Sequence, residues 1–373
     1  MIYLDSAATS LLKPSAVVYA MEEALRSMAS PGRGGHHPAM LAAETVFRCR
    51  ERAAELFHMD RPDHVVFTMN ATHALNLAIA SLARKGKRVV ISGFEHNAVT
   101  RPLHALGCSI SVAGRKLFDP DDTIRAFQKE LAGADFAVCT VVSNVFGYIL
   151  PVREISAMCR KAGVPMILDA SQAAGILDLD FDALGAEYMA MPGHKGLLGP
   201  QGTGILLCKE HADPLLFGGS GSESRLQTMP EDLPERLEAG TQNVCGIAGL
   251  LAGIETVLSR TPSAIFRREY AHLQIAIEQL QNTKCELFTK GGELQAGVLS
   301  LRSPVIDCET LANRLSEHNI CVRGGLHCAP LAHESAGTLE TGTLRLSFSP
   351  FLREGELREA CGVLRHILSD RSS

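Results

Sequence analysis

Between about residues 40 and 210, short apolar runs alternate with segments of helical spacing, and no other feature restricts the fold of this chain as much. "HVVFTMN" (64–70), "KRVVISGFEHN" (87–97), "DFAVCTVVSNVFG" (135–147) and "VPMILDASQAAG" (164–175) are apolar runs that end in polar residues. "AMLAAETVFRCRERAAELF" (39–57) and "ATHALNLAIASLAR" (71–84) carry apolar residues three and four apart. Continuous apolar strands joined by helices predict an α/β fold with a mainly parallel sheet covered on both faces. In such sheets ligands bind beyond the carboxyl ends of the strands. Asn70, His96, Asn144 and Asp169 fall at such ends, so four residues of different chemistry are expected along one edge.

Beyond this region the pattern changes. "CGIAGLLAGIETVLSR" (245–260) and "SAIFRREYAHLQIAIEQLQN" (263–282) read as long helices, followed by shorter pieces such as "AGVLSLRS" and "TLRLSFSPF". The expected division is an N-terminal segment with a large domain over 1–260 and a small α+β domain over 261–373. A length of 373 residues with 46% apolar and 21% charged residues can bury both cores. With a net charge of −5 and no basic block, nucleic acid is not an expected partner. No apolar run is long enough for a membrane helix, and "MIYLDSAATS" has neither a basic leader nor an apolar core, so a cytoplasmic protein is expected. The eleven cysteines are scattered singly, an odd count without C-x-x-C, which argues against a disulfide framework or a zinc site. Ten read as small buried hydrophobes. Cys328, in "RGGLHCAPL" (323–331), has neighbours that such a role does not need.

"MAMPGHKGLLGPQGTGIL" (189–206) places Lys195 in a glycine-rich turn unsuited to helix or strand, and it is not a P-loop. From this stretch alone, a solvated turn lysine and a Schiff-base lysine are equally admissible. The second reading demands a carboxylate elsewhere, because pyridoxal phosphate is an electron sink only while its ring nitrogen stays protonated. "ILDASQAAG" supplies Asp169 at a strand end, although an aspartate there is also a common helix cap. Gln172 follows three residues later, within reach of the ring's phenolic oxygen. Asn70, Ala71 and Thr72 form a strand-to-helix turn whose free N–H groups suit either an ordinary cap or a phosphate. His96 would lie flat on the ring.

With "EHNA", "SNVFG", "LDASQAAG", "GHKGLLGPQGTG", "EAGTQN" and "RGGLHCAPL" in hand, the chain resembles the pyridoxal-phosphate-dependent cysteine desulfurases of the class V aminotransferase fold. The resemblance runs from "YLDSAAT" (3–9) to "RLSFSPF" (345–351). It implies the type I fold, with Lys195 bonded to the cofactor, Asp169 on the ring nitrogen, and His96 stacking and serving in acid–base chemistry. Gln172 would contact the phenolic oxygen, Thr72 and His194 match phosphate ligands, and Ala71 stands in the phosphate turn. Thr241 resembles the threonine that reaches the phosphate of a neighbouring subunit, which implies a homodimer. Asn144 and Arg345 match ligands of the substrate carboxylate, with Arg323 beside them.

Cys328 matches the cysteine that receives sulfur as a persulfide, leaving alanine, and passes it to an acceptor protein or dithiol. His327 and Arg323 are expected to favour its thiolate as cations. The compact R-x-G-x-H-C-A form resembles the short-loop group of the family. The implied substrate is L-cysteine or L-selenocysteine; a selenocysteine lyase, or a class V aminotransferase or lyase acting on another amino acid, is the alternative. Two hydroxyls common in the family's phosphate cup are missing here, at Ala71 and Pro192. "GGSGSES" (218–224) reads either as their replacement or as a surface loop.

Overall fold

Seven strands form the central sheet in the order Val65–Thr68, Gly204–Cys208, Tyr188–Pro192, Met166–Asp169, Phe136–Thr140, Arg88–Ser92 and Ser109–Ala113. The computed structural model describes residues 1–369 apart from Arg33, Lys85 and Gly291. Five of these strands are buried along their whole length, as expected of strands covered on both faces. The sheet is parallel from Tyr188–Pro192 to the Ser109–Ala113 edge. Gly204–Cys208 is the exception, running antiparallel to both of its neighbours. It follows Tyr188–Pro192 through the lysine turn, and so short a connection can only reverse the chain. The same turn therefore makes the antiparallel pair and brings Lys195 to the carboxyl edge of the sheet.

The helix Ala71–Leu82 starts where the sequence places it. Asn70 is its N-cap, with the side-chain oxygen accepting from His73 N at 2.9 Å. Helix His37–Leu56 buries Ala39, Ala42, Val46, Cys49 and Ala53, three and four residues apart, and packs on Val244–Arg260. At Thr261 the chain turns sharply, and Val244–Arg260 and Pro262–Leu280 meet at 82°. Among the described residues, no single helix is long and apolar enough to cross a membrane.

The C-terminal part holds an antiparallel sheet in the order Arg323–Gly325, Thr343–Ser347, Val298–Arg302 and Glu286–Phe288. Its core also takes in Ile2 and Leu4 from the far end of the chain. Ile2–Tyr3 pairs in parallel with Ile320–Cys321, and Asp5 bridges to Ser347. A few residues later the same segment touches the large sheet: Ser10 N donates to His194 O at 3.0 Å, and Gln172 Nε2 donates to Ala7 O at 3.0 Å. Residues 2–10 thus form a strap between the two sheets.

One buried ion pair fixes the segment that carries Thr241. Arg50 grips Glu238 with both terminal nitrogens, at 2.8 and 2.6 Å, and Phe67 N donates to the same carboxylate at 2.6 Å. Charges this deeply buried hold their place only when every oxygen is satisfied, as these are.

Candidate active site

Nine residues singled out in the sequence line one cleft at the carboxyl edge of the sheet: Asn70, Ala71, Thr72, His96, Asn144, Asp169, Gln172, His194 and Lys195. They arrive from the ends of five strands or the turns after them, so the rigid sheet sets their spacing. Gly175 and Gly196 bring the two central turns together, because a side chain on either would strike the backbone of the other turn. Gly175 also has φ +79°, a conformation in which glycine carries no steric penalty.

Lys195 is half-buried. Burial lowers its amine to about 8, with Asp169 opposing that shift, so a useful fraction is uncharged near neutral pH. Asp169 is itself buried and accepts from Ser171 N at 2.9 Å through one oxygen. Gln172 uses one side-chain N–H on Ala7 O and has a second to offer. His96 caps the helix Asn97–Ala105, and its Nδ1 accepts from Ala98 N at 3.0 Å. The proton of the neutral ring is therefore on Nε2. Burial, more than the nearby cations Lys195, Arg323 and Arg101, lowers its pKa, with Asp169 acting the other way. His194 is lowered to about 4, first by burial and then by Lys195 and Lys13. It meets the cleft as a neutral ring with Nδ1 at 3.0 Å from Thr9 Oγ1.

Cys328 stands at the edge of this cleft on a loop held from both sides. Asn144 Nδ2 donates to His327 O, and Asn97 N donates to Cys328 O, each at 2.8 Å. His327 and Cys328 have φ +50° and +57°, and such left-handed non-glycine residues cost about 1–3 kcal/mol each. The two clamps keep them there. Of the eleven free cysteines, only Cys328 is exposed. Burial pushes the Cys49, Cys139 and Cys208 thiols up and away from reactivity. Arg323 Nη2, the cation expected beside the thiol, lies 3.8 Å from Cys328 Sγ.

His327 does not share that role. Its pKa is lowered to about 2, by burial first and then by Arg345, His333 and Arg323, so the ring is neutral. Nε2 lies 3.1 Å from Thr343 O and the ring stacks on His333, which turns it away from cationic chemistry.

Three expectations fall outside the cleft or meet competition there. Arg345 is buried and already engaged, donating to Asn144 O at 2.9 Å and pairing with Asp5 at 2.6 Å. Asp5 was not foreseen as part of the site, since its partner lies 340 residues away. Thr241 does not line the cleft of its own chain; it is exposed, in a separate pocket that it shares with Thr68 and Met69. None of residues 218–224 lines the cleft either, and Gly219 O accepts from Gly240 N beside Thr241 at 2.8 Å. Within one chain, therefore, "GGSGSES" does not replace the hydroxyls missing at Ala71 and Pro192. Glu95, buried behind His96, was also passed over because it reads as a polar strand exit.

The donor set suits pyridoxal phosphate. The first turn of Ala71–Leu82 presents free backbone N–H groups to an anion, Asp169 suits a protonated ring nitrogen, and Lys195 an aldehyde.

The family described as Aminotransferase class-V matches residues 2–359. A protein of Pyrococcus abyssi named "Probable cysteine desulfurase" is 31% identical over all of this chain and 95% of its own length. One of the same name from Methanothermobacter thermautotrophicus is 32% identical over 96% of this chain and 92% of its own. Among solved structures, the apo cysteine desulfurase from Thermococcus onnurineus superimposes with a TM-score of 0.90. It is 29% identical and covers 98% of this chain and 94% of that one.

Proposed function

The chain belongs to the aminotransferase class-V family, and on that premise we propose that it is a pyridoxal-phosphate-dependent cysteine desulfurase. The observation that carries the reading is Cys328, the one exposed thiol of eleven, clamped at the mouth of a cleft that holds Lys195, Asp169 and His96. The net reaction joins L-cysteine and the Cys328 thiol to give L-alanine and a Cys328 persulfide, and all atoms are conserved.

When bound, the cofactor supplies the electron sink for the pair left behind as the substrate's Cα proton departs. Asp169 would hold its ring nitrogen, Gln172 its phenolic oxygen, and Thr72, His194 and the N–H groups at Ala71 its phosphate. Lys195 Nζ, near 8, can hold or release a proton at neutral pH. His96 faces the cleft as a donor through Nε2–H. Asn144 and Arg345 bind the substrate carboxylate, for which Arg345 must share its guanidinium with Asp5. Arg323 lies beside Cys328, whose sulfur takes the substrate's sulfur. An exposed persulfide can then pass to a dithiol or an acceptor protein. Eleven unpaired cysteines suit a reducing compartment, the cytoplasm.

The deciding measurement offers L-cysteine and L-selenocysteine separately to the protein loaded with pyridoxal phosphate, with and without a dithiol. Alanine is expected from L-cysteine over many turnovers only when the dithiol is present. Alanine from selenocysteine alone would make the protein a selenocysteine lyase, and none from either would overturn the reading.

We further propose a homodimer in which Thr241 reaches the partner's phosphate. Its exposure outside its own cleft, and the buried Arg50–Glu238 pair that holds its segment, support this. Mixing Lys195→Ala with Thr241→Ala chains should give heterodimers whose two sites differ in cofactor affinity. A fully active monomer in sedimentation would end the idea.

A further inference from the structure

Glu95 is completely buried, and no salt bridge reaches it among the described residues. Its Oε1 accepts from Ser92 Oγ and, at 2.8 Å, from Thr140 N on the neighbouring strand. Thr140 is paired in register with Asp169. The other oxygen, Oε2, has no partner. Ser92 Oγ also accepts from Phe94 N at 3.2 Å, so the whole turn from Ser92 to Asn97 winds around this one carboxyl. Two reactive groups hang from that turn. His96 follows Glu95 in sequence and faces the cleft. Asn97 N holds Cys328 O at 2.8 Å. Ser335 Oγ, donating to Gly93 O at 2.7 Å, ties the start of the turn to the segment after the cysteine.

We propose that Glu95 is a positioning residue: its side chain ties the turn carrying His96, and the backbone anchor of Cys328, to the strand that ends beside Asp169. This rests on the reading of the cleft as a desulfurase site. The groups that face Glu95 are Ser92 on its own turn, Thr140 and Cys139 on one neighbouring strand and Asp169 on the next. None is cationic. Burial raises the carboxyl to about 8, and Asp169 adds to the rise against the pull of the Ser92 and Thr140 hydrogen bonds. At neutral pH Glu95 is therefore protonated and adds no charge beside Asp169. A glutamine keeps the accepting oxygen and the neutrality; an alanine keeps neither the tie nor the volume.

The sign of the pH effect follows. A carboxyl raised from 4.5 to about 8 on folding contributes stability that is complete below 4.5 and lost as pH rises through 8. Glu269, raised to about 8 by its own burial, loses stability over the same window. Comparison with Glu95→Gln separates the two.

The test uses the full chain. In cofactor-free protein, stability by chemical denaturation and the rate of Cys328 alkylation by iodoacetamide are measured from pH 5 to 9. Between pH 5 and 8 the parent should lose stability relative to Glu95→Gln. Glu95→Ala should alter the alkylation rate of Cys328, and Glu95→Gln should restore it. In loaded enzyme, Glu95→Ala should lower kcat about 10²-fold with little change in KM, the size expected when reacting groups shift by about 1 Å. Glu95→Gln should recover most of that loss.

The proposal is overturned if Glu95→Ala matches the parent in both alkylation and kcat, or if Glu95→Gln and the parent share one pH–stability curve. Should the alanine variant not fold, the glutamine curve and its alkylation rate decide. If the cofactor-free results hold while the parent makes no alanine, the desulfurase reading fails and the tie to Cys328 stands.

Discussion

Exchanging Cys328 for alanine is expected to stop steady-state alanine release from L-cysteine while leaving cofactor binding and colour unchanged. The thiol enters only when sulfur is transferred, so earlier events do not depend on it. A loss of at least ~10³-fold, roughly 4 kcal/mol of barrier, is the size anticipated for removing the atom that forms the new bond. Stability should move by no more than about 0.5 kcal/mol, because Cys328 is exposed and fills no core. The two effects are measured separately, by alanine assay and by chemical denaturation. Treating the parent with cysteine, alkylating it and weighing its peptides should locate one added sulfur on Cys328. Added sulfur on a buried cysteine, together with a fully active Cys328→Ala, would reject the assignment.

Lys195→Ala should have an effect at least as large. Borohydride reduction of the loaded parent should fix the cofactor to the peptide containing Lys195, whereas the variant should bind it only through the phosphate turn and yield no covalent adduct. Arginine is not a conservative substitute, since a guanidinium does not condense with the aldehyde. The cofactor-free protein gives an independent readout. An amine lowered from 10.5 to about 8 by burial contributes stability that is complete above 10.5 and lost as pH falls through 8. The parent should therefore gain stability relative to Lys195→Ala between pH 8 and 10. A flat difference across that range would mean that folding does not lower the amine.

Much of this site was legible because its parts are local. An apolar run that ends in "LDASQ" or "FEHN" announces both a strand and what stands at its tip, and the parallel sheet gathers such tips on one edge. The glycines of "GHKGLLGPQGTG" marked a turn without showing that it reverses the chain, so the antiparallel strand Gly204–Cys208 was not foreseen. Long-range pairings were also hidden. Nothing near Asp5 signals Arg345, and nothing near Cys328 signals Asn97 or Asn144. His327 was misjudged for a related reason. A histidine beside a cysteine suggests a cation until burial is known, and burial here makes it neutral. Glu95 shows the reverse case, an acid whose importance comes from being fully enclosed.

The strap formed by residues 2–10 bears on the order in which the molecule is completed during synthesis. Its first residues pair with Ile320, Cys321, Ser347 and Arg345, which are made long after it. Domains generally fold from the N-terminus as the ribosome delivers them, so the seven-stranded sheet can close around Lys195 and take up Ala7 and Ser10 while residues 2–5 still have nothing to hold. A nascent chain cut short before Thr343 would carry Lys195, Asp169 and His96, and Cys328 as well, without the Asp5–Arg345 pair. Residues 2–5 wait for residues 320–347, and the Asp5–Arg345 corner is finished only when both segments are present.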